Sequence, residues 1–303
     1  MADSRQVIRA HLGMLLWAVL VGVSFPAVGL LSEGLPPLLL TAVRFAIAAL
    51  AVWPLLLREP ERWPRLPGLL LYAIMGLCLA GFFGAMFWAA HRASALSMAT
   101  LYVSVPLLAY GLGRRFGVEQ PAGRLLALLL LGALGALGLA WAQSGGSPGE
   151  LRLGRGEGLF SLGCVASALY PVLSKWGLKR GWLARQAVPR AFWSLLAGGV
   201  LIGLLGWLWE APRALASMSA ADGLVLVYLG VFSTAVTFWL LQRATTVLTP
   251  GAVAAYSYLV PFVSMLALLV EQPQRIGWHW LPGSLLVLLA IGLLLRGERE
   301  HDG

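Results

Sequence analysis

Long apolar runs follow one another along nearly the whole chain, separated by short polar links. A hydrocarbon core about 30 Å thick needs about 20 apolar residues per helix. Ten runs meet that length: 11–32, 35–57, 67–90, 94–113, 121–142, 156–174, 187–209, 220–241, 250–270 and 277–295. The links are mostly too short to fold alone. The pattern therefore predicts an all-α integral membrane protein with ten transmembrane helices. The first run reads as a membrane helix and not a cleaved signal peptide: it is too long, and no small-residue cleavage site leads into soluble sequence.

The pattern also repeats. Phe87-Trp88-Ala89-Ala90-His91-Arg92-Ala93 returns about 150 residues later as Phe238-Trp239-Leu240-Leu241-Gln242-Arg243-Ala244. Each copy leads into a run interrupted by a proline, Pro106 or Pro261. Upstream, Phe25-Pro26 followed by Arg44 is echoed by Tyr170-Pro171 followed by Arg190. A stretch rich in Gly, Ser and Pro, 143–157, separates the copies and reads as an exposed linker. The expected organisation is a first repeat over 1–142, the linker at the outer face, and a second repeat over 158–303. Five helices per copy is an odd number, so the copies are expected to be inverted, the plan by which many secondary transporters build a midplane site.

Composition narrows the class. Hydrophobic residues make up 59% of the chain and charged ones 12%, against about 25% charged in soluble domains; the mean hydropathy is +0.81. A soluble enzyme is excluded. The net charge of +9 does not point to nucleic acid, because of where it lies. Of the 22 Lys and Arg residues, fifteen fall on one set of links, termini and adjoining run ends, five on the other, and Arg44 and Arg190 lie deeper within runs. The positive-inside bias then places both termini in the cytoplasm of a bacterial inner membrane. Cys78 and Cys164 fall within runs and read as small packing residues.

Several stretches resemble EamA-type transporters of the drug/metabolite transporter superfamily. Thr41 through Leu50 is similar to that family's second helix, Trp17 through Pro26 to its first, and Ser94–Pro106 and Thr249–Pro261 to its proline-bearing fourth helix. The stretch from Glu271 to Leu295 is similar to the close of the second repeat; where Glu271 ends the fourth helix of copy two, copy one has Arg114-Arg115. The resemblance covers residues 10–297 and implies ten helices, two inverted five-helix repeats and export of small metabolites, amino acids or drugs.

Individual residues suggest a site. Pro26, Pro106, Pro171 and Pro261 each lack a backbone donor and crowd the carbonyl four residues back. Each is a helix break serving either packing or gating. Tyr102, Tyr170, Tyr256 and Tyr258 lie mid-run, where a phenol needs a partner. They line a wet cavity or form interhelical hydrogen bonds. With Trp17, Ser24, Phe25, Arg44 and Trp239 they make up the expected substrate-binding set, although Trp239, like Trp88, also suits an interfacial belt. Trp53, Trp63, Trp207, Trp209, Trp278 and Trp280 lie at run ends and read as anchors. Arg44 sits deep enough that facing lipid would cost at least about 2.5–3.5 kcal/mol; it either binds a substrate carboxylate or caps carbonyls of a broken neighbour. Arg190 lies nearer a run end and is expected to snorkel.

No Asp or Glu falls in the middle of a run. A proton-coupled exporter of organic cations usually needs one, so the cargo is expected to be an amino acid or an amino-acid-derived carboxylate or zwitterion, opine-like metallophores included. The alternative is broad-specificity efflux of drugs or aromatic compounds. A channel lacks its charge ring here and a membrane-embedded enzyme its polar constellation. No phosphate-binding loop, metal cluster or other cofactor site is read in the chain. The expected partners are a small-molecule substrate and the lipid bilayer, with the protein a monomer or a homodimer.

Overall fold

The computed structural model describes residues 4–90, 92–144, 154–271 and 277–297. The body of the expected linker, 145–153, together with His91 and the side chain of Glu271, lies outside the described residues. Among the described residues ten helices are long and apolar enough to cross a membrane. These are α1 (Ser4–Gly29), α2 (Pro37–Leu56), α3 (Leu66–Ala90), α4 (Ala95–Tyr102 and Val105–Arg115) and α5 (Gly123–Gln143). There follow α6 (Arg155–Lys179), α7 (Ala187–Trp209) and α8 (Ala220–Gly230, a π turn Val231–Val236, and Thr237–Val247). The last two are α9 (Pro250–Ala255, a 3-10 turn Tyr256–Tyr258, and Leu259–Glu271) and α10 (Leu281–Gly297).

Helix ends depart most from the apolar runs where polar residues continue the helix. α1 begins at Ser4 rather than residue 11, α6 runs to Lys179 rather than 174, and α8 to Val247 rather than 241. The apolar run marks the bilayer portion, whereas the backbone ladder goes on into the interface as long as no proline or glycine stops it.

Most of the broad packing surfaces join a helix before the linker to one after it: α2 with α7, α3 with α6, α3 with α7, α5 with α10, and α1 with α8 and α9. Exchanging each helix for its counterpart in the other half leaves this scheme unchanged. α2–α7 and α5–α10 map onto themselves, α1–α8 maps onto α6–α3, and α3–α7 and α1–α9 map onto α2–α8 and α4–α6, which are also in contact. In α7, Gly206 abuts Leu39, Gly203 abuts Ala42 and Gly199 abuts Phe45, so α2 and α7 run antiparallel. Likewise Gly135 meets Val287 and Gly138 meets Gly283, making α5 and α10 antiparallel. Small residues permit this approach: a Cβ at Gly76 would stand 2.6 Å from that of Ala197.

The four prolines act differently. α4 is interrupted between Tyr102 and Val105, and α9 tightens to a 3-10 turn at Tyr256–Tyr258. In each case the disturbance lies about four residues before the proline, where its ring meets the carbonyl. The breaks expected at Pro26 and Pro171 are not found; both prolines sit inside continuous helices. At Pro26 the reason is visible. The carbonyl it strands is that of Gly22, and Ser264 Oγ donates to that oxygen at 3.1 Å.

The outer surface is apolar, with Trp63 62%, Trp207 68%, Trp209 72% and Trp278 86% exposed, as anchors require. Trp280 departs from that group. It is buried in the core between α5 and α10, with its indole N–H unpartnered.

Candidate transport site

The π turn in α8 is the local irregularity around which the polar mid-membrane groups gather. It spans Val231–Val236 and presents Ser233 and Thr234, with Thr237 just beyond. A π turn widens the helix and leaves its carbonyls poorly paired, and such turns recur at functional sites. Here Thr237 Oγ1 donates to Ser233 O at 2.8 Å and Thr234 Oγ1 donates to Leu229 O at 2.9 Å. Arg44 completes the arrangement from α2. Its Nε donates to Thr234 Oγ1, and its Nη2 donates to Ser233 O and Ser233 Oγ, each at 3.1 Å. Among the described residues Nη1 makes no hydrogen bond, and the side chain is half-buried. The deep cation thus caps the π turn of its neighbour, and Nη1 is the guanidinium nitrogen left over.

A string of aromatic rings starts beside this arginine. Phe45, next in sequence, meets Phe83 edge-on at 5.4 Å between centroids and Phe238 at 6.1 Å. Phe238 meets Tyr170 at 5.6 Å; Phe83 meets Phe82 at 5.3 Å, and Phe82 meets Tyr102 at 5.8 Å. The string therefore links the turn in α8 to the break in α4. Tyr102 is half-buried there. Trp17 is half-buried on α1 against the core, Ser24 is buried and donates to Val21 O at 2.6 Å, and Phe25 is exposed. Trp239 is half-buried with the Arg243 guanidinium 5.5 Å over its ring.

The other tyrosines do not line an opening in this structure. Tyr256 is buried and shares a hydrogen bond with His11 of α1. Tyr258 is buried against Gly132 with its hydroxyl unpartnered. Tyr170 is buried, and its hydroxyl accepts from Gln242 Nε2 at 2.8 Å and bonds Ser194 Oγ at 2.7 Å. Interhelical packing describes all three better than a wet cavity.

Arg190 corrects the expectation that it snorkels. It is 0% exposed. Its Nη1 donates to Ser174 Oγ, Gln242 Oε1 and Thr245 Oγ1 at 3.0–3.1 Å, and its Nη2 to Gln242 O at 2.7 Å. Neutral oxygens from α6 and α8 thus solvate a buried cation, as burial demands.

Carboxylates lie at helix N-termini, where backbone N–H groups lack partners. Glu210 accepts from Leu38 N and Leu39 N at 2.8 and 2.9 Å, Asp222 from Ser219 N at 2.8 Å, and Glu119 from Gly251 N at 2.8 Å. Asp222 also accepts from Ser32 N in the α1–α2 link at 2.8 Å. Burial pushes the Glu119 carboxyl above its ordinary range, against the pull of Thr249, Gly251 and Lys175. Two cavities open at the two ends of the bundle. One of about 550 Å³ lies beside Glu210 and Phe87; one of about 910 Å³ lies among the α4–α5 link, the ends of α6 and α10 and the α8–α9 turn.

Sequence reasoning placed Arg44 but missed Ser233, Thr234, Phe45 and Phe83. The available signal was the cluster Ser233-Thr234 and Thr237, three hydroxyls inside an apolar run.

The model of the EamA-like transporter family matches the chain twice, over residues 8–141 and 154–296. The uncharacterized inner membrane transporter YedA of Escherichia coli (strain K12) is 25% identical over 238 residues, covering 77% of this chain and 73% of its own. The YedA of strain O157:H7 matches to the same extent. A solved structure described only as a crystal structure of a protein superposes with a TM-score of 0.74 at 20% identity, covering 100% of both chains. That likeness bears on the fold alone.

Proposed function

This chain belongs to the EamA-like transporter family, and we propose that it is a secondary transporter exporting a small amino-acid-derived carboxylate or zwitterion, opine-like metallophores included. The export crosses the inner membrane, where the name of YedA places that relative, by alternating access between two inverted five-helix repeats. Both termini lie in the cytoplasm, a reading that rests on the basic residues of the links.

The observation that carries the cargo class is Arg44. Two of its nitrogens hold the π turn of α8, and Nη1 remains for an anion at mid-membrane depth. A carboxylate there gains a charge-assisted hydrogen bond in a low-dielectric setting, while the rings of Phe83 and Phe238 take an apolar side chain. The same aromatic string favours a second reading, efflux of neutral aromatic compounds.

Arg44 separates the two. In a thermal-shift screen of amino acids, opine-like metallophores and nucleosides on purified protein, carboxylates are expected to raise the melting temperature. Arg44→Lys keeps the charge but loses the planar fork, and the shift is expected to fall at least about tenfold in apparent affinity, the loss of about 1.4 kcal/mol. A carboxylate shift intact in well-folded Arg44→Ala would exclude carboxylate binding; a shift from uncharged aromatics alone would favour the second reading.

A further inference from the structure

The larger cavity plays no part in the transport reading and has a chemistry of its own. It measures about 910 Å³ and is walled by both halves of the molecule. Arg124, Lys175 and Lys179 stand in its lining. Lys179 Nζ donates to Gly117 O at 2.9 Å and Lys175 Nζ to Thr246 O at 3.0 Å, which fixes both ammonium groups while each keeps a further N–H to give. Glu119 is the one carboxylate in the lining against these three cations, and its Oε2 is engaged by Gly251 N at 2.8 Å. The cavity is therefore electropositive. Beyond the cations the wall is aliphatic, formed by Leu125, Leu128 and Leu294.

A cationic rim over an aliphatic wall suits an amphiphile with an anionic head. The volume lies near the top of the range for small-molecule pockets, about 300–1,000 Å³, more than one amino acid needs. On the orientation proposed above, this end meets the cytoplasmic leaflet, where basic pockets between helices bind anionic headgroups. We infer that the cavity holds an anionic phospholipid, its phosphate among Arg124, Lys175 and Lys179 and the upper part of its acyl chains against Leu125, Leu128 and Leu294. Because the α4–α5 link and the α8–α9 turn both contribute, the bound lipid bridges the two halves and stabilises this arrangement of them. The inference rests on the orientation but not on the cargo, so a failed cargo screen leaves it standing.

The test is a titration of purified full-length protein in neutral detergent with phosphatidylglycerol, phosphatidylcholine or inorganic phosphate, followed by melting temperature and by native mass spectrometry. Phosphatidylglycerol is expected to raise the melting temperature and to remain as an adduct; phosphatidylcholine and phosphate are not. Each cation removed, as in Lys175→Gln and Lys179→Gln, should weaken apparent affinity about fivefold. Leu128→Trp keeps the charges but fills the wall, and should also lose the adduct. Removing the exposed Arg58 and Arg65 of the same end as Arg58→Gln and Arg65→Gln should retain it. Equal stabilisation by phosphatidylcholine would overturn the inference, as would a phosphate-only shift, which means a small-anion site, or wild-type lipid affinity in the Lys175→Gln/Lys179→Gln protein. Should that double variant fail to fold, the wild-type lipid series and Leu128→Trp decide.

Discussion

Among the described residues Arg190 is a fully buried cation held by neutral groups alone. It is solvated by Ser174, Gln242 and Thr245. Removing it takes a donor from several buried neutral oxygens, and leaving such groups unsatisfied costs about 1–3 kcal/mol each. Arg190→Ala is therefore expected to lower the melting temperature by about 10 °C, at about 2–4 °C per kcal/mol for a chain of this size class. Arg190→Lys should recover only part, since an ammonium has three N–H groups where the guanidinium has five. An unchanged melting temperature in Arg190→Ala would refute the assigned role. The sequence made Arg44 legible because its depth alone demands an internal partner. Arg190 was not legible. Near the start of α7 an arginine ordinarily reaches water, but α8 continues to Val247, past the end of its apolar run, and brings Gln242 and Thr245 over it. Nothing in a hydropathy pattern reports that extension.

At the scale of elements, the prolines divide into two inside continuous helices, Pro26 and Pro171, and two at interruptions, Pro106 and Pro261. Pro26 leaves Gly22 O, which Ser264 takes up, and α1 stays whole. Pro106 and Pro261 coincide with interruptions in α4 and α9, the paired fourth helices of the two halves. In lipid such backbone is tolerated only where protein or water satisfies it, which makes these two breaks the candidate hinges. Pro106→Ala or Pro261→Ala restores the missing donor. Either change should raise the melting temperature, the helix gaining at most about 3 kcal/mol. Each should also slow flux about tenfold if the switching barrier rises by about 1.4 kcal/mol. Stabilisation with wild-type flux would make the breaks packing features. The prolines themselves were visible in the chain; which of them break a helix was not, and at Pro26 it turns on Ser264, a hydroxyl from another helix.

For the whole molecule, the ends of the bundle repeat one contact. Glu210, after α7, accepts from the first N–H groups of α2, and Glu61, after α2, accepts from Arg185 N just before α7 at 3.0 Å. Together with the antiparallel pairs α2–α7 and α5–α10, this supports two halves of opposite sense packed along a shared seam. Ten helices and a duplication could be read directly from apolar runs and repeated words. The interlocking of the halves could not, since small residues such as Gly76 and Gly206 report close approach without naming the neighbour. The central claim is carriage by alternating access. Its most direct test is flux in proteoliposomes loaded with the carboxylate that gives the largest thermal shift. The account predicts slow, saturable uptake accelerated by the same compound on the opposite side, with no conductance. Current linear in voltage, with flux that neither saturates nor responds to the opposite side, would contradict it.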